Sequence, residues 1–169
     1  GNAYAEKGDY DRAIQDYDQA IRLNPNLAEA YNNRGLTYAE KGDYDRAIED
    51  YGQAIRLNPN YAEAYHNRGL TCCAKGNYER AIGDFDQAIH LAPNDATTHW
   101  GRGLAYYHKG DYDRAIDDFD QAIRLAPNLI EAYYSRGITC ADKGDYERAI
   151  QDFDQTIRLD PNYAEAYYS

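Results

Sequence analysis

Side chains able to do covalent or metal chemistry are few in this chain, and none stands in a spacing that such chemistry uses. His66, His90, His99 and His108 are dispersed, without the short intervals of a metal-ligand set. There is no Gly-rich phosphate loop, no HExxH, and no Ser/His/Asp set in its motif context. Cys72, Cys73 and Cys140 make an odd number with no disulfide framework, which points to reduced thiols and a cytoplasmic location. No catalysis, metal or cofactor is therefore expected. The residues that stand out are suited to non-covalent recognition instead. Asn33 and Asn67 each carry an amide that is both donor and acceptor. Trp100, Tyr107 and Tyr134, with Leu104 close by, are of the kind favoured as interface anchors.

Charge narrows the partner. With 18 Lys and Arg against 29 Asp and Glu, the net charge is −11, and the basic residues are spread along the whole chain. That argues against nucleic acid, whose binders cluster their cations. A basic or apolar protein segment is expected over an acidic one. No run approaches the roughly 18–20 apolar residues of a membrane span, and no signal peptide is visible. The chain contains no Met, so it is expected to be a piece of a longer protein.

One device must position all of these residues. Residues 28–61 return at 62–95, 96–129 and 130–163; residues 1–27 enter the same unit partway, and 164–169 begin it again. The whole chain thus reads as one repeat array, with partial repeat 1, full repeats 2 to 5, and the start of another. Such units cannot bury a core alone and close their apolar faces against their neighbours.

Each repeat reads as two helices. Tyr31, Gly35 and Tyr38 share a face at i, i+4, i+7, and Tyr44, Ala47, Ile48, Tyr51, Ala54 and Ile55 form a second stripe. Between them Gly42 suits a left-handed helix stop and Asp43 an N-cap, with counterparts in every other repeat. Pro25, Pro59, Pro93, Pro127 and Pro161 end the second helices. The Asn after the proline, with Glu three residues on, predicts a capped first helix at Asn26/Glu29, Asn60/Glu63, Asn128/Glu131 and Asn162/Glu165; Asn94/Thr97 departs from this. Gly35, Gly69, Gly103 and Gly137 predict close approach of the paired helices, as does the Ala47 series from the other side.

Arg34, Arg68, Arg102 and Arg136 are each followed 16 residues later by Asp50, Asp84, Asp118 and Asp152, which predicts a structural ion-pair ladder between the paired helices. Asp18/Arg22, Asp120/Arg124 and Asp154/Arg158 read as surface i, i+4 pairs. Gln19, Gln53, Gln87, Gln121 and Gln155 recur with no role that the sequence explains. Cys72 and Cys140 lie two repeats apart, too far for a disulfide at roughly 8–10 Å per helix step. Cys73 reads as a small filler.

An aromatic, Gly, Tyr, Ala, an aromatic, Ala and Pro at Tyr31, Gly35, Tyr38, Ala47, Tyr51, Ala54 and Pro59, recurring throughout, resemble the tetratricopeptide repeat. Departures are the Arg34 series where the family usually has Leu, His99 for the opening Tyr, Cys72 and Cys140 for the later one, and Thr156 for the second Ala. The resemblance implies an all-α, right-handed superhelical solenoid of antiparallel helix pairs whose concave face is lined by the first helices. Asn33 and Asn67 match asparagines that hold an extended ligand in similar arrays, a series interrupted at Gly101 and Ser135. The basic clamp by which some arrays grip acidic C-terminal tails looks absent: Glu29, Glu63, Thr97 and Glu131 stand on the first helices instead.

The reading is a protein-interaction scaffold, not an enzyme, binding a partner's peptide segment in a groove at Asn33, His66, Asn67, Leu70, Trp100, Leu104, Tyr107, His108 and Tyr134. For Trp100 the competing expectation is inward repacking beside His99. Two alternative functions are a substrate-recruiting arm of a larger enzyme and a head-to-tail self-assembling scaffold.

Overall fold

The computed structural model describes residues 1–167; Tyr168 and Ser169, the last two residues of the incipient repeat 164–169, lie outside the described residues. Ten α-helices and a closing 3-10 turn, Ala164–Tyr167, make up the fold, with no strand among the described residues. First helices are α3 (Ala28–Glu40), α5 (Ala62–Ala74), α7 (Ala96–His108) and α9 (Ile130–Lys143), with α1 (Asn2–Glu6) in the place of a first helix's end. Second helices are α2 (Tyr10–Leu23), α4 (Tyr44–Leu57), α6 (Tyr78–Leu91), α8 (Tyr112–Leu125) and α10 (Tyr146–Leu159). The chain divides into two compact units, Gly1–Leu91 and the part from Ala92 onward.

Each helix pair closes over one seam. The ring of Tyr51, Phe85, Phe119 or Phe153 on the second helix lies against Gly35, Gly69, Gly103 or Gly137 on the first. A Cβ on Gly69 would sit 2.7 Å from Phe85 Cε1, and one on Gly103 2.6 Å from Phe119 Cε1. Glycine is therefore required by space, not by backbone angle. Ala47, Ala81 and Ala115 complete the seam and are fully buried. Thr156, at an alanine position, is also fully buried, and its hydroxyl donates to the Asp152 carbonyl four residues back. That bond satisfies the polar group that the substitution brings into the core.

The expected helix stops are present. Gly42 takes φ +79°, its four counterparts are alike, and the next residue caps the second helix: Asp43 accepts from Arg46 N–H at 3.2 Å. The first-helix starts differ from expectation. The caps of α3, α5 and α9 are Leu27, Tyr61 and Leu129, none with a side-chain cap bond. The asparagine after the proline is used up in the turn, whose backbone is closed from the residue before the proline. Asn58 Oδ1 accepts from Asn60 N–H at 3.1 Å, and Asn24 and Asp160 do the same in their repeats. Only α7, where the pattern broke, has an Asx cap among these starts: Asp95 accepts from Thr97 N–H at 3.1 Å.

The arginine ladder is present and two-pronged. Arg34 Nε and Nη2 donate to the two oxygens of Asp50 at 2.7 and 2.6 Å; Arg68–Asp84, Arg102–Asp118 and Arg136–Asp152 repeat the fork. Arg34 and Arg136 also reach the preceding repeat through Nη1, at Asp18 and Asp120. This corrects the surface pairs predicted for those two acids. A half-buried guanidinium with a fixed fork out-competes an exposed i, i+4 arginine, whose pairing is worth only about 0.2–0.5 kcal/mol. The freed arginine explains part of the glutamine series, because Gln53 and Gln121 accept from Arg56 and Arg124.

Where Tyr38 and Tyr106 occupy the later tyrosine position, Arg46 and Arg114 stack on them at 4.4 and 4.6 Å. Cys140 stands at that position in repeat 5, and there Arg148 turns to Asp120 at 2.6 Å. Lys41, Lys75 and Lys143 tie each repeat to the one before through Asp11, Asp45 and Asp113.

Candidate functional site: the open faces of the first helices

In the N-terminal unit, the face of α3 and α5 turned away from the glycine seam carries amides. Asn67 Nδ2 donates to Asn32 Oδ1 at 3.2 Å; Asn32 Nδ2 donates to Glu63 Oε1 at 3.2 Å and to Asn33 Oδ1 at 3.4 Å. Asn33 Nδ2 in turn reaches Asn2 Oδ1 at 3.3 Å, which also accepts from the Tyr17 hydroxyl. A lateral chain of amides thus runs across successive first helices and fixes how Asn33 and Asn67 are turned. No donor meets Asn67 Oδ1 among the described residues. Leu36 and Leu70, 44% and 36% exposed, lie one turn further along the same helices. A cavity of about 460 Å³ opens here, lined by Asn33, Leu36, Glu6, Tyr10, Tyr17 and Glu40. His66 is edge-on to Phe85, with centroids 6.0 Å apart, so its ring leans on the seam.

In the C-terminal unit, the corresponding positions are aromatic. Trp100 is half-buried, and its Nε1–H donates to Ser135 Oγ at 3.1 Å, holding the indole across α7 and α9. Tyr107 donates its hydroxyl proton to Asp142 Oδ2 at 2.8 Å. That bond, then burial, pushes the Tyr107 hydroxyl up to about 12, which keeps it a neutral donor. Tyr107 also packs against His108 and Tyr112, and His108 itself is exposed. Leu104 is half-buried between these groups in sequence. Tyr134 turns to Phe153 and Tyr163, at 5.9 and 5.1 Å. The structure therefore groups Asn33 with Asn67 and Leu70 in one unit, and Trp100 with Ser135 and Tyr107 with Asp142 in the other. His66 and Tyr134 are set against second-helix or later rings.

Asn32, Glu63, Ser135 and Asp142 are the residues that site reasoning missed. For three of them the signal was an offset: Asn67/Asn32, Trp100/Ser135 and Tyr107/Asp142 are each 35 residues apart, one more than the repeat, whereas Asn32/Glu63 spans 31. His99 is buried, with Nδ1 3.4 Å from Asp118 Oδ1 and Nε2 3.3 Å from the Pro93 carbonyl oxygen. Burial would raise the Asp118 carboxyl, but the bonds to His99 and Arg102 outweigh it and hold the group below its ordinary range. Burial pushes the Cys73 thiol up to about 12, so it is no nucleophile at neutral pH. Among the described residues no group of three or more His, Cys, Asp or Glu side chains could hold a metal ion. None of the described helices is long and apolar enough to cross a membrane.

Models of the TPR repeat match residues 1–42 and 35–72, and models of the tetratricopeptide repeat match residues 73–130 and 130–163. The chain belongs to the tetratricopeptide repeat family. No curated protein sequence matches this TPR chain. Among solved structures, one of MamA is similar at 30% identity over 98% of this chain and 96% of that one, with a TM-score of 0.88. YrrB, described as a TPR protein with an unusual peptide-binding site, aligns at 24% identity over 99% and 86% of the two chains, with a TM-score of 0.82. A thermophilic TPR protein of Thermus thermophilus aligns at 23% identity over 99% and 91%, with a TM-score of 0.78. The last two likenesses concern the fold alone. Family and fold are those of a protein-interaction scaffold.

Proposed function

We propose that this TPR array holds extended segments of a partner protein on the open faces of its first helices. The observation that carries this reading is the amide chain of α3 and α5. It orients Asn67 through its N–H and leaves Oδ1 available to accept from a peptide backbone N–H. A fixed amide binds at lower entropic cost than one that must be ordered on contact. Leu36 and Leu70 supply apolar contact beside it, and in the C-terminal unit Trp100 supplies an anchor whose indole is already held. Glu6, Glu40 and Glu63 near the amides favour a basic or apolar segment over an acidic one.

The test uses a peptide array to find binding segments and anisotropy to measure them. Peptides captured by the wild type are expected to lose most of their affinity to Asn67→Ala or Trp100→Ala and none to Arg22→Ala, on a second helix. Equal affinity for all three variants would move binding away from these faces. Trp100, the chain's single tryptophan, gives a fluorescence report of contact in the C-terminal unit.

A further inference from the structure

We propose that Arg56 and Arg68 form a notch beside Gly52 that binds a single carboxylate. The ladder sets the pattern. Arg34 Nη1 is met by Asp18 of the preceding repeat, and Arg136 Nη1 by Asp120. One repeat on from Asp18 the chain has Gly52, so the acid that Arg68 Nη1 would meet is missing.

The place is flanked by two cations. A Cβ on Gly52 would lie 3.6 Å from Arg68 Nη1 and 3.7 Å from Arg56 Nη1. Both guanidinium groups are held by their other nitrogens. Arg68 Nε and Nη2 fork onto Asp84 at 2.8 and 2.6 Å, and Arg56 Nε and Nη2 donate to Gln53 Oε1 at 2.9 and 2.5 Å. Neither Nη1 has an acceptor among the described residues. Donors already oriented, and already converging, cost little to bring onto an anion.

Access and size follow from the sister rungs. Asp18 and Asp120, which fill the equivalent place, are 43% and 40% exposed, so a carboxylate seated there meets solvent on its outer side; Gly52 itself is buried, and the Arg68 side chain is only 16% exposed. What fits is the carboxylate-bearing tip that Asp18 contributes in the neighbouring rung, planar and singly charged. The net charge of −11 opposes any anion at long range. At physiological salt that field is screened within about 8 Å, while the two adjacent guanidinium groups act at contact.

The test is side-chain Nε–Hε nuclear magnetic resonance of the full 169-residue chain, titrated with sodium acetate against sodium chloride at matched ionic strength. Arg68 and Arg56 signals are expected to shift saturably with acetate and not with chloride. Gly52→Asp, which carries its own carboxylate into the notch, should abolish the response while remaining folded. Arg56→Ala should weaken the acetate shift at Arg68 without removing it. A capped aspartate peptide is titrated in parallel. Saturable binding of both ligands supports a site for any small carboxylate, and binding of the peptide alone supports one for a partner's acidic side chain. No saturable shift with either ligand, or an equal shift in Gly52→Asp, overturns the proposal.

Discussion

Arg34 and Arg68 stand one repeat apart, on equivalent positions of α3 and α5, and each forks onto the acid 16 residues ahead. Arg34 is closed on its other side by Asp18; Arg68 faces Gly52. The same residue at the same place in the repeat is thus a saturated structural bolt in one rung and a half-open one in the next. In a repeat protein, what a recurring side chain does is set by the neighbours that stacking brings to it, because each unit completes its interactions only across the boundary to the next.

The largest effect that could break this comparison is loss of the shared acid. Asp84→Ala leaves Arg68 half-buried with no carboxylate at all and should cost about 3–5 kcal/mol in urea unfolding. Asp50→Ala leaves Arg34 with Asp18 and should cost less, by about 1.5 kcal/mol or more, the worth of a hydrogen bond to a charged group. Equal costs would mean that Asp18 contributes nothing to the rung.

Glycines sharpen it next. A methyl at Gly69 meets the buried Phe85 ring at 2.7 Å, so Gly69→Ala should destabilise by about 1–3 kcal/mol as the ring is displaced. At Gly52 the nearest groups are guanidinium nitrogens at 3.6 and 3.7 Å, ordinary contact, so Gly52→Ala should stabilise by up to about 1 kcal/mol through helix propensity. Opposite signs are expected from thermal melts of the two variants. A loss at both positions would show that Gly52 too is fixed by packing.

A third rung adds a histidine. Asp118 is held below the ordinary carboxyl range, burial being outweighed by its bonds to His99 and Arg102. A depressed folded value means that stability from this group is present above the unfolded value of about 3.9 and is lost as pH falls through the folded one. Asp118→Asn should therefore be less stable than wild type near neutrality, with a flatter decline below about pH 4. Melting curves across that range check it; parallel declines would show that Asp118 does not titrate with folding.

Much of this was legible in the sequence, for reasons that are local and periodic. The glycine stop, the Asp43 cap and the Arg34–Asp50 rung follow from rules acting within one repeat, and all are present. What misled was competition between a local partner and one from the neighbouring repeat. Asp18 reads as a partner for Arg22 on its own helix, yet it serves Arg34. Asn60 reads as a helix cap, but the turn closed by Asn58 places the helix start one residue later. At the candidate site, Asn33 and Asn67 were visible as a series. Asn32, which links them, was not, because its complete burial arises only when α5 is stacked on α3. Tyr134 and His66 looked equivalent to Trp100 by register, and it is the rings beside them that turn them differently.

The smallest effect tests whether every tie between repeats matters as the arginine rung does. Lys75 pairs with Asp45 of the preceding repeat much as Arg34 pairs with Asp18, but at the surface: Lys75 is 36% exposed and Asp45 85%. A mobile ammonium and a solvated carboxylate gain little from pairing, so Lys75→Ala should cost at most about 1 kcal/mol. Any cost should vanish in roughly 1 M salt, where charges are screened within about 3 Å. The Asp84→Ala penalty should persist there, since an unpaired guanidinium in a half-buried seam remains desolvated whatever the ionic strength. If instead the lysine variant lost as much as the aspartate variant and kept that loss in salt, the stack would be held by its ties between repeats and not by burial of the arginine fork.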